Sequence, residues 1–157
     1  MKKMLAIAIL SAFILTACKK DNNTNNTPAV DVRDKFVGTW RGNYTLNLTG
    51  LPPGTPTTLP TTVVISKSQS STTDIDIKIN NQFFNNQTAT AVVSGNQYIY
   101  KPVSITTPIS LTLNGTGQIS SDGNSINESG TASGSYQIPG SPAVPISGTW
   151  TSALTKQ

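Results

Sequence analysis

Residues able to perform catalytic chemistry are scarce in this chain. Its 157 residues include no histidine and one cysteine, Cys18. Ser-His-Asp and Cys-His catalysis are therefore excluded, and so are the usual zinc and copper sites. The carboxylates that remain after residue 30 are Asp31, Asp34, Asp74, Asp76, Asp122 and Glu128.

Asp74 and Asp76 are the acidic pair whose spacing best fits a reaction. They are two residues apart in an alternating segment, so both side chains lie on one face. Two carboxyl groups placed in this way can fall within the roughly 5 to 9 Å that separates a glycosidase pair. The same face is also where a half-buried strand carries solvated charges. We favour this second interpretation and expect no enzyme, with no catalytic residues, metal or cofactor.

Aromatic side chains offer binding chemistry instead. Rings with a few hydroxyl groups suit a pocket for a small apolar ligand, although the same rings could form an ordinary filled core. Inward-facing glycines either leave room beside the rings or kink the strands. The predicted ligand-binding residues are Trp40, Tyr44, Tyr98, Tyr100, Tyr136 and Trp150, and the inward glycines are Gly38, Gly42, Gly130, Gly134 and Gly148.

The N-terminal residues have the layout of a secretory signal. Lys2 and Lys3 form a cationic head, and an apolar run of fourteen residues extends from Met4 to Ala17. This run is shorter than the roughly 20 residues that a transmembrane helix needs. The sequence Leu15-Thr16-Ala17-Cys18 resembles the bacterial lipobox. The resemblance implies cleavage before Cys18, a diacylglyceryl group on its thiol, and acylation of the new amine by a fatty acid such as palmitate.

Three segments follow from this interpretation. We predict a signal peptide over residues 1–17, a lipidated cysteine with a disordered tether over 18–31, and a β-barrel domain over 32–157. The tether is rich in Asn and Thr and has almost nothing to bury. The expected location is the bacterial cell envelope, anchored in the outer membrane by the lipid on Cys18, on either its periplasmic or its external face.

The charge pattern excludes nucleic acid as a partner. The formal net charge of +4 falls to +2 when Lys2 and Lys3 leave with the signal. The remaining lysines of the domain are scattered singly along the chain, so they make no basic patch.

Period-two alternation predicts an all-β domain. Phe36, Trp40 and Tyr44 alternate with polar residues, as in a strand that is half-buried against a core. Turn residues such as Asp122-Gly123 separate the alternating segments. Eight strands joined by short turns can close into an up-and-down meander barrel, and a β-sandwich is the alternative. The predicted strands cover residues 36–48, 58–67, 73–79, 87–94, 97–105, 109–120, 125–138 and 146–155.

The first strand resembles that of the lipocalins and fatty-acid-binding proteins, the calycins. The resemblance is carried by Gly38-Thr39-Trp40 after Asp34-Lys35-Phe36. It implies a lipocalin-like barrel that holds a small apolar ligand, and together with the lipobox it is similar to the lipocalin-like lipoproteins of Bacteroidota-type bacteria. Lipocalins cover this tryptophan with an arginine from the end of the barrel, and here Lys156 could substitute. Gly148-Thr149-Trp150 repeats the motif, and we expect the two units to meet where the first and last strands pair.

Two functions follow as hypotheses. The first is an anchored barrel that binds a small apolar ligand. The second is an interaction module, such as an inhibitor or an adhesion domain, that recognises an extracytoplasmic protein or a glycan through its loops. A connected pocket of a few hundred Å³ would favour the first, and a filled interior with an apolar rim would favour the second.

Overall fold

A computed structural model describes residues 30–105, 110–137 and 140–157 of the chain. The described residues form nine strands and no helix. The predicted signal peptide and Cys18 lie outside the described residues, so the structure bears on neither. The strands are β1 Gly38–Thr49, β2 Thr58–Lys67, β3 Asp74–Asn80, β4 Gln87–Ser94, β5 Gln97–Tyr100, β6 Val103–Ile105, β7 Ser110–Ile119, β8 Ser125–Tyr136 and β9 Val144–Lys156.

The strands close into an antiparallel up-and-down barrel. From β1 to β5 and from β7 to β9 each strand pairs with the next, and two further pairings, β1 with β9 and β5 with β7, complete the circle. β5 and β6 together occupy one place in the wall, because both pair with β7. The prediction of an eight-stranded meander barrel is therefore confirmed, and the alternative of a sandwich is not what the chain adopts.

The predicted strand over residues 97–105 is split into β5 and β6. Lys101 still donates its backbone N–H to Thr90 of β4 at 2.8 Å. Pro102, which follows, has no N–H to offer and interrupts the ladder. The inward side chains change from Tyr98 and Tyr100 before the break to Ile105 after it, so the alternation slips by one residue.

A short N-terminal turn closes one end of the barrel, which we call the base. It precedes β1, with Phe36 donating its N–H to the Arg33 carbonyl at 3.0 Å, and the Phe36 ring is fully buried. The Arg33 guanidinium holds the turn to the barrel by donating to the carbonyl of Ser71 at 2.7 Å and to that of Asp74 at 3.3 Å. The opposite end, near Thr49, is called the mouth.

Trp40 seals the base above this turn. Its ring is 0 % exposed, and its indole N–H donates to the Phe36 carbonyl at 2.8 Å. The Lys156 ammonium lies 5.2 Å from the centroid of the Trp40 ring, within cation–π range. Lys156 thus covers the tryptophan, as the sequence suggested it could.

The expectation that the two Gly-x-Trp units meet is wrong. β1 and β9 do pair, but they run antiparallel, so Trp40 faces Lys156 at the base while Trp150 faces Leu46 towards the mouth. In antiparallel neighbours the start of one strand lies beside the end of the other. Gly38-Thr39-Trp40 is at the start of β1, whereas Gly148-Thr149-Trp150 is in the middle of β9, so the two units do not meet.

The inward glycines do not leave the interior empty. A Cβ built on Gly130 would come within 2.7 Å of the Trp150 ring. Gly115 and Gly117, on β7, are covered in the same way by the rings of Trp150 and Tyr98. At Gly42 an added Cβ would instead fall 1.9 Å from the Ala153 carbonyl oxygen, so glycine permits the close approach of two strands there. The glycines therefore make room for aromatic rings or allow neighbouring strands of the wall to approach closely.

Candidate functional site

One row of paired inward residues places polar groups at the centre of the barrel. Tyr44 of β1 pairs with Ser152 of β9, and Ser152 pairs with Glu128 of β8. The row continues through Gly117 of β7 to Tyr98 of β5. Because a strand alternates its faces, residues that pair directly across a ladder point to the same side. The register alone therefore brings a carboxylate, a serine and two tyrosines into the interior.

Glu128 is the acid at the centre of this polar cluster. It is 3 % exposed, and its carboxyl group accepts hydrogen bonds from the hydroxyls of Tyr98, Tyr100 and Ser152. The bond from Tyr100 measures 2.5 Å between the two oxygens. Among the ion pairs of the described residues, none involves Glu128. The hydroxyl donors thus take the place of water around a buried acid.

The three tyrosines beside Glu128 are strongly held in their neutral form. Burial raises the pKa of Tyr44, Tyr98 and Tyr100 well above the ordinary value of 10.0, and the negative charge of Glu128 raises each of them further. The cluster therefore presents neutral hydroxyl groups over the whole physiological pH range.

The aromatic rings form a continuous chain of contacts from the base towards the mouth. Phe36 and Tyr98 meet edge to face with centroids 5.4 Å apart, and Tyr98 meets Tyr100 in the same manner at 5.5 Å. Tyr100 contacts the Trp150 ring at 5.9 Å, and Trp150 stacks on Tyr44 at 5.5 Å. These rings fill the lower and middle parts of the interior.

Two polar atoms in this stack have no partner. The Tyr44 hydroxyl oxygen and the Trp150 indole nitrogen are buried, and neither forms a hydrogen bond within the described part of the chain. Their residues are 3 % and 4 % exposed. Buried polar atoms without partners cost about 1 to 3 kcal/mol each, so this part of the interior is packed at some expense of stability.

Two adjoining apolar slots lie between this stack and the mouth. The inner slot is lined at its floor by Tyr44, Tyr100 and Trp150, and the outer slot reaches the rim at Leu48 and Leu51. Each has a cavity volume of about 30 Å³, and the space grows to about 510 Å³ for the inner slot when its opening is included. The two slots share the side chains of Leu46, Phe84, Ile105 and Leu113.

The inner slot lies beside a break in the barrel wall. Its lining includes Gln87 and Ala89 of β4 on one side and Val103 and Ile105 of β6 on the other. In the described residues β6 pairs with β7 and not with β4, so no ladder joins these two edges. The slot is therefore bounded by both the mouth and an unpaired stretch of wall.

The six predicted ligand-binding residues divide into two groups. Tyr44, Tyr100 and Trp150 lie together at the floor of the inner slot. Trp40 and Tyr98 are packed nearer the base, and Tyr136 is half-buried at the mouth end of β8; none of these three lines either slot. Sequence reasoning missed Glu128 and Ser152 as interior residues. The signal was present, because both continue the alternation of their strands at even-numbered positions.

The other acidic residues lie on the outside of the barrel or near its base. Asp31 pairs with Arg33 at 2.7 Å and with Lys67 at 3.0 Å, so Asp31 is held against the base of the barrel. The expectation that Asp74 is a solvated charge is wrong, because Asp74 is 5 % exposed and pairs with Lys101 at 2.6 Å. The hydrogen bond from Lys101 lowers the pKa of Asp74. Asp76, on the same outer face, accepts a hydrogen bond from Thr90 at 3.3 Å. No group of three or more potential metal ligands occurs within residues 30–105, 110–137 and 140–157.

The same three ranges hold no helix of the length and hydropathy required to cross a membrane.

Comparisons with known proteins show similarity in structure only. No family model matches the sequence, and no curated protein matches it significantly. Among solved structures, the chain is similar to a de novo designed fluorescence-activating β-barrel, with a TM-score of 0.47 and 16 % sequence identity. That match covers 82 % of this chain and 99 % of the designed one. The closed eight-stranded architecture is established by the strand pairing of the chain itself.

Proposed function

We propose that this protein is an envelope-anchored lipoprotein whose barrel binds a small, slender apolar ligand at the mouth. The observation that carries the proposal is the pair of adjoining slots, whose walls are almost entirely aliphatic and aromatic. The base is closed by Phe36 and Trp40, so the mouth and the adjacent break in the wall are where a ligand would enter.

The size of the slots restricts the kind of ligand. Pockets for drug-sized molecules usually have volumes of about 300 to 1,000 Å³. The enclosed cavities here, at about 30 Å³ each, barely admit a water-sized sphere. These cavities are far smaller than the few hundred Å³ that would by themselves favour a ligand-binding barrel. A linear alkyl chain could therefore enter only if the lining side chains move apart, and a fused ring system would need a still wider opening.

A test of ligand binding uses a variant that fills the inner slot. Ala89 is 3 % exposed and lines that slot, so Ala89→Leu places three more carbons in it. Thr88→Leu adds the same side chain to the outer face one residue earlier and serves as the matched control. We expect a polarity-sensitive dye and 1-octanol to alter tryptophan fluorescence saturably in the parent and in Thr88→Leu, and not in Ala89→Leu. An identical response in all three proteins would contradict a ligand inside the barrel.

The lipid anchor rests on the lipobox resemblance at Cys18. Two or more acyl chains attach a protein essentially permanently, whereas a single chain is marginal. We expect Cys18→Ser to release the domain into the soluble fraction after carbonate washing of membranes. Retention of this variant in the membrane pellet would show that another feature of the chain anchors it.

An interaction module is the second candidate, favoured by the small enclosed volume together with an apolar rim. Leu48, Leu51 and Phe83 are only partly buried around the outer slot. A partner that inserts an apolar side chain there would need the rim and not the inner slot. Leu51→Ser should then abolish binding of that partner, whereas Ala89→Leu should leave it unchanged. The opposite pattern would favour the ligand-binding barrel.

A further inference from the structure

Four side chains separate the two apolar slots. Leu46, Phe84, Ile105 and Leu113 line both slots, so together they form the partition between them. Leu46, Ile105 and Leu113 belong to β1, β6 and β7, where pairing with a neighbouring strand fixes their backbone. Phe84 lies outside the strands, in the segment 81–86 that connects β3 to β4. It is therefore the member of the partition that can move without breaking a ladder.

The connecting segment 81–86 contains a turn that is tied to the barrel at one end. The side-chain oxygen of Asn81 accepts the backbone N–H of Phe83 at 2.9 Å and that of Phe84 at 2.8 Å. The Asn81 N–H donates to the Phe84 carbonyl at 3.2 Å. In the described part of the chain, only Asn81 links this segment to other elements by a hydrogen bond, from its side-chain amide to the Thr61 hydroxyl at 3.1 Å.

The other end of the segment bends at Asn86, beside the break in the wall. Asn86 has a φ of 57°, a left-handed conformation that asparagine adopts more readily than most other residues. The residues that follow, 87–89 of β4, pair with β3 on one side, and no described strand pairs with their other side. Outward movement of the segment at this point breaks no ladder, and a few loop residues suffice to absorb such a change.

Burial of the ring is what holds Phe84 in place. The residue is 6 % exposed, and its side chain has no polar atom, so only apolar contacts oppose its exit. A form with this ring in water is disfavoured by roughly 10- to 150-fold, which corresponds to a population of about 1 to 10 %. An apolar ligand that takes the place of the ring restores the lost contacts and stabilises this open form.

Exit of Phe84 would join the slots into one elongated space. Along β1 this space runs from Tyr44 at the inner floor to Leu48 at the rim, a rise of about 13 Å over four strand residues. Every lining residue of both slots other than Thr55 and Gln87 is aliphatic or aromatic. An unbranched alkyl chain is the occupant that matches such a long, apolar space.

We propose that the two slots are the halves of one site for an unbranched alkyl chain, and that Phe84 leaves the partition to admit it. This inference rests on the proposed ligand-binding function and specifies the occupant of the site and the way it opens. Because only the open form binds, the apparent dissociation constant is raised by the factor that disfavours this form.

The joining of the slots is tested by nuclear magnetic resonance on the full chain carrying Cys18→Ser, with 1-octanol as the probe. The Ala89 methyl group lines only the inner slot, and the Leu111 methyl groups line only the outer slot. We expect one bound 1-octanol per chain, with nuclear Overhauser contacts to both residues. Contacts confined to one of the two slots would overturn the inference.

The movement of Phe84 is tested with 4-fluorophenylalanine at position 84, and at position 36 in a control sample, since Phe36 is fully buried at the base. We expect 1-octanol to shift the fluorine resonance at position 84 towards that of the unfolded chain and to expose it to a soluble gadolinium chelate. The resonance at position 36 should not change. If the fluorine at position 84 stays protected in the complex, the inference is overturned while ligand binding stands.

Phe84→Ala removes the side chain that separates the slots, and Phe83→Ala, which truncates a ring that lines only the outer slot, is its matched control. We expect Phe84→Ala to bind 1-octanol about tenfold or more tightly than the parent, because the open form no longer has to be reached, and Phe83→Ala to stay within about threefold. Equal effects of the two variants would overturn the inference. The two resonance experiments remain decisive if Phe84→Ala fails to fold. If the parent does not bind 1-octanol, the proposed function itself fails.

Discussion

Replacement of Glu128 by leucine should destabilise the barrel, because it removes an acceptor that three buried hydroxyls share. Tyr98, Tyr100 and Ser152 would each lose a hydrogen bond inside the protein. A buried hydroxyl without a partner costs about 1 to 3 kcal/mol. Leucine recovers part of this cost, because the desolvation penalty of the buried Glu128 carboxyl group is also removed. We expect Glu128→Leu to lower the free energy of unfolding by about 2 to 5 kcal/mol.

The complementary change leaves the acid in place and removes its donors. Tyr98→Phe with Tyr100→Phe takes two of the three hydroxyls from the Glu128 carboxyl group and leaves it buried with Ser152 alone. Breaking such an arrangement typically costs about 3 to 5 kcal/mol. In the triple variant the acid and the two tyrosine hydroxyls are absent together, so only the Ser152 hydroxyl loses its partner. The triple variant should therefore be more stable than the sum of the two effects predicts, by at least about 2 kcal/mol.

Equilibrium unfolding in urea at pH 7, followed by circular dichroism, measures all four corners of this cycle. Asp76→Leu, on the outer face, controls for the loss of an acid and should change stability by less than about 1 kcal/mol. Effects that add to within about 0.5 kcal/mol would refute the reasoning, because they would mean that Glu128 and the two tyrosines do not interact in the folded protein.

Two further predictions concern the base and the behaviour at high pH. Trp40→Ala should lower the free energy of unfolding by about 3 to 5 kcal/mol, because the ring is fully buried at the closed end of the barrel. Trp40→Phe should lower it distinctly less, since a ring is kept. Equal losses of the two variants in urea titrations would contradict this packing. Stability should also fall above about pH 10, where the tyrosines of the unfolded chain ionise while Tyr44, Tyr98 and Tyr100, whose pKa values are raised, stay neutral in the barrel. The free energy of unfolding should fall by up to about 4 kcal/mol per pH unit for the three tyrosines together. Absorbance at 295 nm should show these tyrosines ionising only as the protein unfolds. Stability that is unchanged up to pH 11 would argue against their burial.

Local pattern was sufficient to predict most of the fold. The alternation around Trp40 and Tyr44, and around Ile75 and Ile77, assigns each residue to a face without knowledge of its neighbours. Turn residues such as Asp122-Gly123 mark where strands end: β7 ends and β8 begins within one residue of the prediction on either side of this turn. The break at Pro102 was not anticipated, although the missing N–H of proline is itself a property of the sequence.

The site was decided by register, which local pattern does not contain. Alternation is compatible with Tyr44, Glu128 and Tyr98 all facing inward. Only the pairing of β1 with β9, β9 with β8, β8 with β7, and β7 with β5 brings them to one level of the barrel. The same register puts the rings of Trp150 and Tyr98 over glycines. The space that the sequence suggested beside the inward glycines is therefore occupied by these rings.

The sequence by itself thus determined which residues face inward, and the tertiary structure decided which of them meet. The physical reason is that the face of a strand residue depends on parity along its own strand, whereas its neighbours across the barrel depend on how several strands are aligned. A shift of two residues in any one of these pairings would keep every apolar side chain inside. It would also separate Glu128 from the hydroxyl groups that make its burial possible.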